Sequence, residues 1–239
     1  MTDMLFVDAD IIAYRAAAAA ETAIDWGEGE WTLHSHDPEV FRMMDTFIDK
    51  LKQDSGIKDV VACISDKLNF RKEVAPYYKE NRKDTRKPMS LGNAKEYLYD
   101  MYDGMIMRKL EADDVLGIAG TTDPSVVIWS LDKDLLTIPA RHFIDGEIVE
   151  ISKEDADYQF FYQTLTGDST DNYSGCPKVG PKNAEKILAK AKGAEEMWTA
   201  VVAAFEKAGL NEDVALENAR LARILRTTDY NGEVILWTP

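Results

Sequence analysis

Carboxylates occupy most of the positions at which this sequence could do chemistry. Three short apolar runs close on an aspartate: Leu5-Phe6-Val7 on Asp8, Val60 to Ile64 on Ser65-Asp66, and Val126 to Leu131 on Asp132. Further acids stand at an expected helix start, Glu111-Ala-Asp113-Asp114, in a D-x-D pair, Asp132 and Asp134, and in a D-x-x-D pair, Asp168 and Asp171. Brought together without cations, these nine acids repel one another strongly. Mg²⁺ or Mn²⁺ relieves that repulsion, because such hard ions take one or two carboxylates and complete their shell with water and phosphate oxygens. Two ions about 3.5–4 Å apart activate a water and stabilise the leaving oxygen of a phosphodiester. This chemistry requires no His or Cys, and the three histidines, His34, His36 and His142, are not in ligand spacing with the acids. For any single aspartate at a strand end, capping the next helix is the simpler reading. For the ordered set it is hard to sustain.

The charge balance runs against a nucleic-acid partner at first sight: 28 basic residues face 43 acidic ones, a formal net charge of −15. Two segments oppose it, one with Lys79, Arg82, Lys83, Arg86 and Lys87, the other with Lys178, Lys182, Lys186 and Lys190. A solvated face is the ordinary reading of such runs, and their acidic neighbours make a phosphate-binding role the alternative. With 45% hydrophobic residues the chain has ample means for a core, which excludes a disordered class. Asp8, Asp10 and Arg15 interrupt its most apolar N-terminal stretch, so neither a membrane helix nor a secretory signal is expected. Cys63 and Cys176 suggest reduced thiols and a cytoplasmic setting.

The elements that must position the acids follow from periodicity. Leu5 to Val7 predicts a strand, Ile11 to Ala20 a helix, and Trp26 to His36 a small strand or an irregular excursion. Asp37 as cap with Pro38 at the first helical position opens a helix carrying Phe41, Met44, Phe47, Ile48 and Leu51 at helical spacing. Val60 to Ile64 and Val126 to Leu131 read as buried strands, Met105 to Met107 as a brief one, and Leu91 to Tyr102 and Glu111 onward as helices. The alternation implies an α/β fold with a mostly parallel sheet, in which ligands bind at the carboxyl ends of the strands. From about Ser152 the pattern becomes helical: Tyr158 to Leu165, a glycine-rich turn from Gly167 to Gly180, Pro181 to Ala191, Ala194 to Ala208 and Asn211 to Arg226, with a terminal apolar run Val234 to Trp237. The expected division is 1–151 and 152–239, the second packed on the first.

In that order, Val7-Asp8, Ser65-Asp66, Glu111-Ala-Asp-Asp114, Ser130-Leu-Asp-Lys-Asp134 and Gly167-Asp-Ser-Thr-Asp-Asn172 resemble the metal motifs of the flap-endonuclease and 5′-nuclease superfamily. Phe70-Arg71-Lys-Glu73, Tyr78-Lys-Glu-Asn-Arg82, Ala222-Arg-Ile-Leu225, Tyr230-Asn231 and Leu236-Trp237-Thr-Pro239 look like the compact 5′→3′ exonucleases of short-tailed bacteriophages. The resemblance implies a PIN-like sheet domain, a short helical arch near 77–95, and a helix-three-turn-helix DNA-binding element. It implies Mg²⁺-dependent (or Mn²⁺-dependent) hydrolysis with two ions at the 5′ ends of double-stranded DNA, extended to RNA in RNA-DNA hybrids and set in the host cytosol. Structure-specific flap cleavage is the alternative within that family. Asp66, Glu111 and Asp113 would then serve the first ion, with Asp8 and Asp114 orienting its waters; Asp132, Asp134, Asp168 and Asp171 would serve the second. Lys79 and Arg82 would steer the scissile phosphate, Arg71 would contact a neighbouring one, and Tyr78, like Tyr77, would stack on a terminal base unless it packs in the core. Gly175, Lys178, Gly180, Lys182 and Lys186 would grip the duplex backbone. Asp10 departs from the pattern, as a spare outer ligand or a helix cap. Lys178 stands where relatives carry glycine, casting doubt on a monovalent-ion site in the turn. From outside the family, Asp8-Ala-Asp10 also fits the start of a haloacid-dehalogenase-type phosphatase, although Ile12 replaces its usual hydroxyl residue.

Overall fold

The computed structural model describes residues 2–239. A five-stranded sheet has the order β4-β1-β5-β6-β7, formed by β1 (Met4–Asp8), β4 (Asp59–Cys63), β5 (Val126–Trp129), β6 (Arg141–Ile144) and β7 (Glu147–Glu150). The first four are parallel and β7 pairs antiparallel with β6. Alternation along the central strands divides the core. Leu5, Val7, Val60, Ala62, Val127 and Trp129 face α1 (Ala9–Ala19), α2 (Asp37–Ser55) and α4 (Leu91–Met101); Phe6, Cys63, Val126 and Ile128 face α5 (Ala112–Thr122). Both faces are covered, so β1 and β5 are unbroken apolar runs rather than alternating ones.

The helices follow their apolar stripes. Val40, Met44, Ile48 and Leu51 form the buried face of α2, which stops at Gly56 in the left-handed conformation (φ 73°). Its cap differs from expectation: Asp37 lies inside the first turn, and its carboxylate accepts from Asn93 instead. The short α3 (Arg71–Val74) precedes a 3₁₀ turn at Glu80–Arg82. The arch is not helical beyond that turn. Residues 83–90 form a loop, in keeping with Pro88 and the polar Lys83-Asp-Thr-Arg-Lys87 stretch before it. The loop is pinned by Glu21, whose carboxylate accepts from Arg86 Nη1 at 2.8 Å and from the Met89 amide at 2.8 Å.

The second half is helical: α6 (Lys153–Thr166), α7 (Pro181–Leu188), α8 (Gly193–Lys207) and α9 (Glu212–Ala222). Phe160, Phe161, Leu165, Trp198, Val201 and Phe205 form its core, and Trp237 stacks edge-on against Trp198 at 5.0 Å. Beyond α9, Ile224 and Leu225 return to the sheet and pack beside α5. The turn between α6 and α7 is fixed by reciprocal backbone bonds between Asp168 and Tyr173, at 2.9 and 3.0 Å. A Cβ on Gly175 (φ 64°) would lie 2.4 Å from the Gly167 amide nitrogen, so only glycine fits there.

Three strand assignments change. The uncertain segment before α2 is a hairpin, β2 (Thr22–Gly27) with β3 (Glu30–His34), exposed along nearly its whole length. The hairpin β6–β7 has no counterpart in the sequence reading, because β7 is exposed and lacks a buried apolar run. Met105 makes one bridge to Cys63 instead of opening a strand. Both cysteines are buried free thiols. Among the described residues, no helix is long and apolar enough to cross a membrane.

The closeness of α5 to the returning chain is testable. A Cβ on Gly117 would stand 2.3 Å from the Leu225 carbonyl oxygen. Gly117→Ala should therefore destabilise the protein by about 1–3 kcal/mol, read from the urea midpoint, despite alanine's better helix propensity.

Candidate active site

Parallel strands linked by crossovers present their carboxyl ends at one edge of the sheet. Asp8 ends β1, Asp66 follows β4, and Asp132 and Asp134 follow β5. Glu111 and Asp113 stand at the start of α5, while Asp168 and Asp171 come from the turn after α6. All eight, with Asp10, Lys79 and Arg82, line one open cleft of about 1740 Å³.

The cleft has two electrostatic halves. In one, cations compensate the acids. Lys79 Nζ contacts Glu111 Oε1 and lies 3.4 Å from Asp171 Oδ2, and Arg82 Nη2 donates to Asp171 Oδ1 at 2.6 Å. Burial disfavours the charge on Glu111, yet Lys79 and Arg71 outweigh it and hold the carboxyl down to about 2. The other half is only partly compensated. Asp8 is buried, and desolvation together with Asp10 pushes its carboxyl up to about 6. Desolvation, then Asp132 and Asp168, raises Asp134 to about 6, and burial with Asp8 and Glu111 raises Asp113 strongly. Asp66 stands apart: amide donation from Lys109 at 2.7 Å, with a further bond from Lys67, holds it below the usual range.

These acids are suited to a hard divalent cation. The donors are all oxygen, and the raised carboxyls of Asp8, Asp113 and Asp134 mark crowded negative charge that burial and neighbouring acids leave only partly balanced. Among the described residues, no three His, Cys, Asp or Glu side chains stand in ready-made ligating geometry. An ion with few carboxylates and several waters matches that spacing better than an all-protein cage.

Several expected roles are corrected by burial. Arg71 is 2% exposed, and its guanidinium donates to Asp114 Oδ2 and Oδ1 (2.7 and 2.8 Å), Glu111, the Leu221 carbonyl and the Arg223 carbonyl. It has no donor left for a DNA phosphate. Asp114, fully buried, also accepts from the amides of Glu111 and Leu225, so it is a structural anchor and not a metal ligand. Tyr78 is buried too, with its hydroxyl 2.6 Å from Asp171 Oδ2 and 3.0 Å from Glu111 Oε2, and it cannot stack on a base. Gly175 is buried and its amide donates to Asn218, which removes it from any phosphate grip. Asp8, not Asp10, caps α1, accepting from the Ile11 amide at 3.2 Å, while Asp10 pairs with Lys95 at 2.8 Å. Asp8 is buried at the cleft wall, and its second oxygen accepts from Ser130 Oγ at 3.0 Å.

Lys178, Gly180, Lys182 and Lys186 are exposed on and before α7, outside the acidic cleft. No salt bridge engages these three lysines among the described residues. Two motif residues left without a role in the sequence reading are Ser130, which bonds Asp8 and also accepts from the Asp132 amide at 3.0 Å, and Ser65, which accepts from the Ala112 amide at 2.9 Å. A serine within two residues of Asp66 and of Asp132 was the available signal.

Residues 3–165 match the 5′-3′ exonuclease, N-terminal resolvase-like domain family. The exodeoxyribonuclease of Enterobacteria phage T3 is 31% identical, the alignment covering 99% of this chain and 93% of that protein. The exonuclease of Escherichia phage T7 is 30% identical with the same coverage. DNA polymerase I of Streptococcus pneumoniae is 26% identical over 98% of this chain, which matches 29% of the polymerase. In fold, the chain resembles the T5 D15 protein co-crystallized with metal ions, with a TM-score of 0.65 at 16% identity, covering 92% of this chain and 88% of that one. The chain belongs to the 5′-3′ exonuclease family. It is a hydrolase, a 5′→3′ exonuclease, with the α/β fold of its solved neighbours.

The Arg71–Asp114 pair provides a direct check on its structural role. Asp114→Ala strands a buried guanidinium and should cost about 3–5 kcal/mol in urea unfolding. If Asp114 were a solvent-facing ligand, the same change would leave stability nearly untouched.

Proposed function

We propose that this exonuclease hydrolyses phosphodiester bonds at the 5′ ends of double-stranded DNA with two divalent cations, Mg²⁺ or Mn²⁺. The observation that carries the reading is the convergence of acids from five separate segments on one cleft, where burial and mutual repulsion raise Asp8 and Asp134. Asp66, Glu111 and Asp113 would hold one ion, and Asp132, Asp134, Asp168 and Asp171 the other, with Asp8 behind the first. Bound there, the ions supply an activated water and charge stabilisation at the leaving oxygen. Lys79 and Arg82 stand at the cleft with charge that a phosphate can recruit, and they orient the scissile group against the acids.

Lys178, Lys182 and Lys186, with the amides at the start of α7, receive the duplex backbone. Residues 1–151 then carry most of the catalytic acids, and 152–239 hold the duplex while lending Asp168 and Asp171. Backbone contacts are indifferent to base sequence, and the same site accepts the RNA strand of an RNA-DNA hybrid. Flap cleavage uses the same acids. The short loop 83–90, fastened to Glu21, favours a duplex end over a long threaded strand.

Two experiments test this reading. Asp132→Ala combined with Asp134→Ala should abolish cleavage while leaving duplex binding measurable by gel shift; turnover retained in the double variant would sink the assignment. Lys182→Ala with Lys186→Ala should weaken binding to all sequences alike and lower the slope of log K against log salt by about 1 per lysine. An unchanged slope would return both lysines to a plain solvated face.

A further inference from the structure

Two buried polar atoms beside the acidic cleft have no partner within the protein: Gln163 Oε1 and the Tyr173 hydroxyl. Both residues line the cleft, and they are 8% and 3% exposed. Neither belongs to the acid and lysine set described above. A polar atom buried without a partner costs about 1–3 kcal/mol, so two of them at one wall call for an occupant.

Gln163 lies on α6, among the apolar residues that hold the helical core. Its Nε2 donates to Asp134 Oδ2 at 2.7 Å. That bond fixes the amide, because a carboxylate only accepts; Oε1 is thereby committed as an acceptor. An acceptor held among carboxylates is met by a donor that cations bring with them, namely water polarised in their shell. A glutamate at 163 would add another charge to the acids that already raise Asp134. Glutamine supplies the oxygen without the charge.

Tyr173 flanks the same acids from the turn. Its backbone is bonded in both directions to Asp168, which fixes the two residues side by side in the turn. Its hydroxyl is a phenol that ionises only at about pH 10, so at neutral pH it has a proton to donate. The wall therefore offers one fixed acceptor and one fixed donor next to Asp134 and Asp168.

We propose that Gln163 and Tyr173 are positioning residues for the divalent cation served by Asp134 and Asp168: the Gln163 amide holds Asp134 in place, and Gln163 Oε1 and the Tyr173 hydroxyl hydrogen-bond the ion's water shell. The inference rests on the metal reading given under the proposed function. Outer partners of this kind are worth about 10–100-fold in metal affinity or activity when removed.

The test is calorimetric titration of the full chain with Mn²⁺ alone, without DNA, for wild type, Gln163→Met, Gln163→Leu and Tyr173→Phe, each checked for native circular dichroism. The Gln163 variants should weaken Mn²⁺ binding about 10-fold or more, and Tyr173→Phe about fivefold, as one lost hydrogen bond implies. In cleavage assays the half-saturating Mn²⁺ concentration should rise by the same factors, with kcat recovered at saturating metal. Mn²⁺ affinities within twofold of wild type, alongside a lowered melting temperature, would overturn the proposal in favour of plain core packing, while leaving the metal reading intact. If neither Gln163 variant folds, Tyr173→Phe decides, since it deletes one oxygen and keeps the ring. Absence of saturable Mn²⁺ binding in wild type would overturn the metal reading and this inference together.

Discussion

Like charges held at close quarters set the terms for the rest of this molecule. Parallel strands deliver Asp8, Asp66, Asp132 and Asp134 to one sheet edge, and α5 and the turn after α6 add four more acids to the same cleft. Such a gathering is destabilising unless charge of the other sign is brought in. The protein does so mainly on one side, through Lys79, Arg82 and the buried Arg71, with Lys95 paired to Asp10 on the other. There burial and mutual repulsion raise Asp8 and Asp134 to about 6, a repulsion that a hard cation bound among them relieves.

Arg71 joins the electrostatics to the architecture. Its single guanidinium reaches Glu111 and Asp114 on α5, the Leu221 carbonyl on α9 and the Arg223 carbonyl just beyond it. The helical half is thereby tied to the sheet at the base of the acid cleft. The basic segment is anchored by the same logic: Tyr78 and Ala75 belong to the helical core, while Lys79 and Arg82 face the acids.

Much of this was legible in the sequence. Strand-end aspartates, the helical period of α2, the switch to helices after Ser152 and the order of the acid motifs all depend on local pattern, and local pattern survives in a single chain. What sequence could not show depends on distant partners. Arg71 looks like a phosphate contact until Leu221 and Arg223 close over it, and Tyr78 looks like a stacking platform until its hydroxyl meets Asp171 and Glu111. Asp114 sits in an acidic motif yet turns inward, since three positions along a helix from Glu111 it completes a capping box. The β2–β3 and β6–β7 hairpins escaped because exposed strands carry little apolar signal.

The central claim, divalent-cation-dependent attack from the 5′ end of a duplex, is tested most directly by following a 5′-labelled and a 3′-labelled duplex beside their 5′-flap versions, with Mg²⁺ and with EDTA. The account predicts early release of labelled mononucleotide from the 5′-labelled duplex in Mg²⁺, progressive shortening of the 3′-labelled strand, and neither in EDTA. Early label release from the 3′ end, or cleavage undiminished by EDTA, would contradict it.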